Sequence, residues 1–159
     1  MKVIFLDFDG VMNTAYYAHI LGKEGRSGND EFWAAFDPNC VRNLKDIIDK
    51  TGAEIVVTSS WKSLMSYKGM LNMWEQRGLP GYVIDVTPSS SGCRHRGDEI
   101  DAWLKECKED CQYVIIDDIE ESNFNKHQLP RLIVVNPYRG LDKEAAERAI
   151  ELLQSSGEE

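Results

Sequence analysis

Apolar, β-branched runs alternate with amphipathic segments along these 159 residues, and three of the runs end in acidic or hydroxyl side chains. That alternation predicts an α/β fold, a Rossmann-like parallel sheet of about five strands with helices on both faces. In such a sheet the polar strand ends gather at one edge, where sites form.

The first strand covers residues 3–7 and runs straight into DFDGVMN. Strand side chains alternate, so Asp7 and Asp9 leave its end on the same side, with Phe8 turned the other way. Residues 13–36 carry Tyr16, Tyr17, Phe32, Trp33 and Phe36 between glycines, and no regular element is assigned there. Asp37-Pro38 starts a helix as N-cap and first helical residue. Val41, Leu44, Ile47 and Ile48 recur at helical spacing, and Gly52 closes it. EIVVT over 54–58 is a strand buried on both faces. A helix over 63–76 is expected to turn Leu64, Leu71 and Trp74 inward, although Gly69 weakens its middle. Residues 82–86 form a short strand, and 97–107 a helix with Ile100, Trp103, Leu104 and Cys107 inside. YVIID over 113–117 is the fourth strand and 132–135 the fifth. The last helix spans 143–153, capped by Asp142, with Ala145, Ala149, Ile150 and Leu153 facing in. The expected organisation is a single domain over 1–153 and a frayed tail over 154–159.

Hydrophobic residues at 42% and charged residues at 28% are ordinary for a globular domain. The net charge of −9 and pI near 4.8 argue against a broad nucleic-acid-binding surface, which needs a basic face. They leave room for a site that grips one phosphate. No run is long enough to span a membrane, and Asp7 interrupts the first apolar run, so a cytoplasmic location is expected. Cys40, Cys93, Cys107 and Cys111 lack the spacing of a zinc site and read as free thiols.

The polar strand ends carry the chemistry. Asp7 and Asp9 follow the first strand, Thr58 and Ser59 the second, Asp117 and Asp118 the fourth, so four carboxylates and two hydroxyls are expected at one edge. Carboxylates this close are costly without a cation, and oxygen donors alone suit a hard ion, Mg²⁺ above all. Gly10 gives a backbone that can turn sharply and bring its N–H near an anion.

In this order the segments resemble the haloacid dehalogenase (HAD) superfamily of aspartate-nucleophile phosphatases, over nearly the whole chain. DFDGVMN is similar to its first motif, VVTSSW to its second and VIIDD to its fourth. The resemblance implies that Asp7 attacks phosphorus and forms an aspartyl-phosphate. Asp9 would protonate the leaving oxygen and then activate the hydrolytic water. Mg²⁺ would be held by Asp7, Asp118 and the backbone carbonyl of Asp9, with Asp117 at its outer shell. Thr58 and the N–H of Ser59 would hold a phosphoryl oxygen. For the cation of the third motif CRHRGDEI offers Arg94 and Arg96, of which Arg96 is preferred because it opens the helix leading into YVIID. Lys62 is the third candidate.

DFDGVMN, TSSWK, RGDEI, VIIDD and the late NPYRGL are also similar to HAD domains associated with RNA repair proteins. That implies polynucleotide ends as substrates and brings Arg139 towards the same edge. Members of the superfamily often insert a large cap; here 13–36 is a small cap-like insertion, so the fold is a minimal-cap one with an open site. The insertion's aromatics are expected to be buried against the domain, with a base-stacking lid as the alternative. The resulting expectation is a Mg²⁺-dependent phosphomonoesterase. Its rivals are a small-molecule (nucleotide or sugar) phosphatase and a non-catalytic phosphate- or partner-binding module. A signalling receiver domain fits less well, because its acidic pair follows the first strand.

Overall fold

The computed structural model describes residues 1–89 and 95–155, without the side chain of Ser155. Five parallel strands form the main sheet: β1 (Lys2–Leu6), β4 (Glu54–Val57), β5 (Val83–Val86), β6 (Gln112–Asp117) and β7 (Leu132–Val134). Their order is β5-β4-β1-β6-β7, so the chain builds outward on one side of β1 and then crosses to the other. The crossing makes the carboxyl end of β1 the switch point of the sheet, flanked by the ends of β4 and β6. The α/β, Rossmann-like architecture is the one the alternation of elements predicts.

The strands form where the sequence is apolar and β-branched, and alternate residues of β1 show why both faces must be covered. Ile4 and Leu6 join a cluster with Leu44, Ile47, Met70, Met73, Ala149 and Leu153. These come from α2 (Pro38–Thr51), α3 (Tyr67–Gln76) and α5 (Lys143–Ser155). Val3 and Phe5 face the other way and pack with Ile100 of α4 (Arg96–Glu106), Ile115 and Phe124. Phe5 meets Trp103 and Tyr113 edge-on, at centroid distances of 5.5 and 5.6 Å. Helix α2 begins as its sequence requires, with the Asp37 side chain accepting from the Asn39 N–H at 2.8 Å and Pro38 next.

Three expectations change. The segment 63–76 is not one helix. Ser59 caps a tight 3₁₀ turn over Ser60–Ser63, and α3 starts afresh after Ser66, whose hydroxyl accepts from the Gly69 N–H. Its buried face is Met70, Met73 and Trp74, whereas Leu64 and Leu71 are exposed. Residues 13–36 contain regular structure: α1 (Ala15–Lys23), capped by Thr14, and a minimal hairpin of β2 (Asn29–Asp30) and β3 (Trp33–Ala34). Tyr82 is exposed and stands outside β5. Cys93 lies outside the described residues, while Cys40 is buried and Cys107 and Cys111 are half-buried free thiols. Among the described residues no helix is long and apolar enough to cross a membrane.

Candidate active site

Strand β1 ends at Leu6, and Asp7 follows as a buried carboxylate. The chain then turns on Phe8, whose carbonyl accepts from the N–H groups of Val11, Met12 and Asn13. This turn swings Asp9 out to an exposed position. On the neighbouring strand β6 ends in Asp117, fully buried, and Asp118 follows half-buried. Asp7, Asp117 and Asp118 each offer an oxygen within 4.8 Å of the others. Three carboxylates therefore converge, not four.

Arg96, the first residue of α4, reaches between two of them. Its Nη1 lies 3.1 Å from Asp7 Oδ1 and 2.9 Å from Asp117 Oδ2. The other oxygen of Asp117 accepts from the N–H groups of Asp118 and Ile119, at 2.8 and 3.3 Å. Both oxygens of Asp117 thus already accept from neighbouring donors. The start of α4 is anchored by packing that only glycine allows: a Cβ on Gly97 would stand 2.5 Å from Gln128 Oε1 and 2.8 Å from Phe124 Cα. The Gln128 amide donates to the Gly97 carbonyl at 2.9 Å and to Asp101 at 2.8 Å, fixing the helix end that carries Arg96.

Electrostatics follow from this crowding. Burial, then the charge of Asp117, pushes the Asp7 carboxyl up to about 8, with Arg96 pulling the other way. Asp118 is raised as well, by burial first and then by Asp117. Burial alone would lower the Arg96 guanidinium, but Asp117 and Asp7 outweigh it and hold it above its ordinary value. One cation offsets three carboxylates only in part, so the cluster favours a further proton or a bound cation. The donors are all carboxylate oxygens, as a hard divalent ion requires. Gly10, at φ +76°, leaves the space: a Cβ there would lie 2.2 Å from Asp118 Oδ2. The residues present fit Mg²⁺.

Asp9 is held separately. The Trp61 indole Nε1 donates to its two oxygens at 3.2 and 3.3 Å, and Asn13 Nδ2 donates at 2.9 Å. The Gly10 N–H, expected near an anion, donates to Asn13 Oδ1 at 3.2 Å and thereby steadies the same turn. Thr58, just past β4, is buried, and its hydroxyl has no hydrogen-bond partner among the described residues. A buried orphan hydroxyl is costly in a resting fold and has a use when a ligand oxygen arrives. Ser59 spends its hydroxyl on the Trp61 N–H.

A family model described as the HAD domain in Swiss Army Knife RNA repair proteins matches residues 3–146. The chain belongs to this family. Comparison with curated proteins and with solved structures gives no match. A HAD domain suggests a phosphatase-type hydrolase, and the family typically uses Mg²⁺ with a cluster of acidic residues such as this one.

Within this HAD domain the remaining candidates fall in different places. Lys62 is nearly buried and bonded to Thr87 Oγ1 at 2.8 Å and Glu99 Oε1 at 3.0 Å, so its charge ties the turn after β4 to α4. Arg94 lies outside the described residues. The Arg139 guanidinium lies 4.3 Å from the Tyr16 ring centroid and 5.3 Å from that of Tyr138. It lines a cleft of about 600 Å³ with Arg42 and Lys143, and none of the site carboxylates lines that cleft. Sequence reasoning passed over Trp61 and Asn13, the residues that orient Asp9. Both stand inside the quoted motifs, but only the fold shows that they meet.

Proposed function

We propose that this HAD domain is a Mg²⁺-dependent phosphomonoesterase that forms an aspartyl-phosphate on Asp7 and acts on terminal phosphates of polynucleotides. The observation that carries the reading is the division of labour between two aspartates two residues apart. Asp7 is buried against Arg96 and the other carboxylates, whereas Asp9 is set apart on Trp61 and Asn13. A phosphate-binding module needs no second carboxylate held on its own donors beside the first; a hydrolase that forms a covalent intermediate needs a nucleophile and a separate acid/base group.

In this reading a carboxylate oxygen of Asp7 attacks phosphorus as the ester P–O bond breaks, and Asp9 gives its proton to the departing oxygen. Asp9 then takes a proton from water as that water attacks phosphorus, the Asp7–phosphorus bond breaks, and phosphate leaves. Arg96 and the Thr58 hydroxyl would hold the phosphoryl oxygens where negative charge is greatest. Asp7, Asp118 and the carbonyl of Asp9 would hold the ion, which supplies positive charge against the carboxylates and the phosphoryl group. The similarity to RNA repair domains and the small insertion support a bulky, polynucleotide substrate. The net charge of −9 supports few phosphate contacts and a shallow salt dependence.

The test is a panel of terminally phosphorylated oligonucleotides, mononucleotides and sugar phosphates, assayed at fixed ionic strength with Mg²⁺ and with chelator. The expected result is highest kcat/KM on the oligonucleotide, no turnover in chelator, and loss of at least about 10³-fold in Asp7→Asn. Turnover retained in Asp7→Asn would refute the chemistry. Preference for a sugar phosphate would refute the substrate class.

A further inference from the structure

The aromatics of the insertion divide into two kinds. Phe36 is core: it is 7% exposed and packs on Phe8, Trp61 and Trp74. Trp33, three residues away, is 41% exposed. It is also the non-glycine residue at positive φ, +75°, among the described residues. An indole in left-handed backbone is strained, and such strain persists only when neighbours impose it. Here Arg77 imposes it. Its side chain, 9% exposed, forks onto Asp30 at 3.0 and 2.8 Å. Its Nη2 also donates to the carbonyls of Phe32, Trp33 and Ala34 at 3.3, 3.4 and 3.0 Å. The guanidinium lies 4.6 Å from the centroid of Phe36, and its Nη1 has no hydrogen-bond partner among the described residues. A buried cation thus fixes the hairpin with an aromatic ring standing out of it.

Where that ring stands gives it a use. Trp33 meets Trp61 edge to face at 5.5 Å, and Trp61 is the residue that holds Asp9. If Asp9 protonates the leaving oxygen, the alcohol half of the substrate lies next to Asp9. Trp33 stands one ring away from Asp9, across Trp61. We propose that Trp33 is the stacking surface for the nucleobase of the nucleotide that bears the terminal phosphate. A nucleotide has a pentose between its ester oxygen and its base, and the structure has the Trp61 ring between Asp9 and Trp33. In a phosphotyrosine the ring would carry the ester oxygen itself and sit against Trp61. The inference rests on the proposed role of Asp9 and deepens the substrate class.

Trp33→Gly removes the ring and adopts φ +75° without strain, so the hairpin is retained; Trp33→Tyr keeps a ring. The measurement is kcat/KM for two oligonucleotides that differ only in a nucleobase or an abasic site at the phosphorylated terminal nucleotide. In the wild type the base should raise kcat/KM about 10- to 100-fold, the scale of one base–aromatic stack. In Trp33→Gly the ratio should fall towards one, and Trp33→Tyr should restore most of it. An unchanged ratio in Trp33→Gly, or a phosphotyrosine peptide outrunning both oligonucleotides, would overturn the proposal. If no phosphate ester is hydrolysed at all, the phosphatase reading fails, and the same base-to-abasic ratio read from equilibrium binding decides the stacking site alone.

Discussion

Removing the charge of Asp7 should make the metal-free protein more stable at alkaline pH, although in the proposed chemistry the same change should abolish turnover. The carboxyl is displaced from 3.8 to about 8 by burial and by Asp117, so the folded state keeps a proton that the unfolded chain gives up. The sign follows directly. For an acid raised in the folded state, its share of stability is complete below the unfolded value near 4 and is lost as pH rises through about 8. At ~1.4 kcal/mol for each pH unit of displacement, the ceiling is ~6 kcal/mol. The effect is smaller to the extent that Asp118, also raised, carries part of the same proton load. Against a domain stability of roughly 5–15 kcal/mol this is a large fraction.

Thermal melting in chelator should therefore fall on the order of 10 °C between about pH 5 and pH 8.5. Asp7→Asn should flatten that fall and melt above the wild type at the alkaline end, while losing its advantage near pH 5. Mg²⁺ at ~100 times its dissociation constant adds about 2.7 kcal/mol. It should act mainly at the alkaline end, because below pH 8 it competes with a proton for Asp7. A wild-type melting point that stays level or rises with pH in chelator would refute the reasoning. So would a Mg²⁺ effect of equal size at both ends.

Thr58→Val keeps shape and removes an unpartnered hydroxyl, so melting should be unchanged or raised by a few degrees while kcat/KM drops ~10- to 100-fold. Equal losses of stability and activity would show that the hydroxyl is structural. Trp61→Phe keeps a ring against Phe8 and Phe36 but deletes the N–H that holds Asp9; kcat should fall ~10-fold or more with KM little changed. A change confined to KM would assign Trp61 to substrate binding instead.

What could be read from the chain and what could not separate along a physical line. Strand runs such as VIFL and EIVV, the Asp37-Pro38 start of α2 and the order of the polar strand ends are local signals, and the sheet follows from them. The preference for Arg96 drew on its place at a helix start, and that place is where the fold lets it span Asp7 and Asp117. The misread helix over 63–76 also has a local cause. Leu64, Leu71 and Trp74 repeat at helical spacing, but Ser59 and Ser66 each cap their own turn, and the break between them rotates the buried face onto Met70 and Met73. The hairpin over residues 29–34 was beyond any local reading, since Arg77, some 45 positions away, holds its carbonyls.

The same contrast explains why three carboxylates cluster while Asp9, expected beside them, stands apart on Trp61 and Asn13. Strand alternation would send Asp7 and Asp9 the same way only if the strand continued, and β1 ends at Leu6. Beyond it three N–H groups close on the Phe8 carbonyl, and the turn they make carries Asp9 to the Trp61 indole. Phe8 drives this by burial: its ring sits among Phe36, Trp61 and Trp74 at centroid distances of 5.1 to 6.1 Å. One apolar residue between two aspartates therefore does more than alternate with them. Its insertion into the aromatic core sets the turn, brings Trp61 to Asp9, and leaves Asp7 behind with Arg96. The separation gives the nucleophile and the acid/base of the proposed chemistry different surroundings, and a cation beside Asp7 is what would let that buried carboxyl ionise and attack.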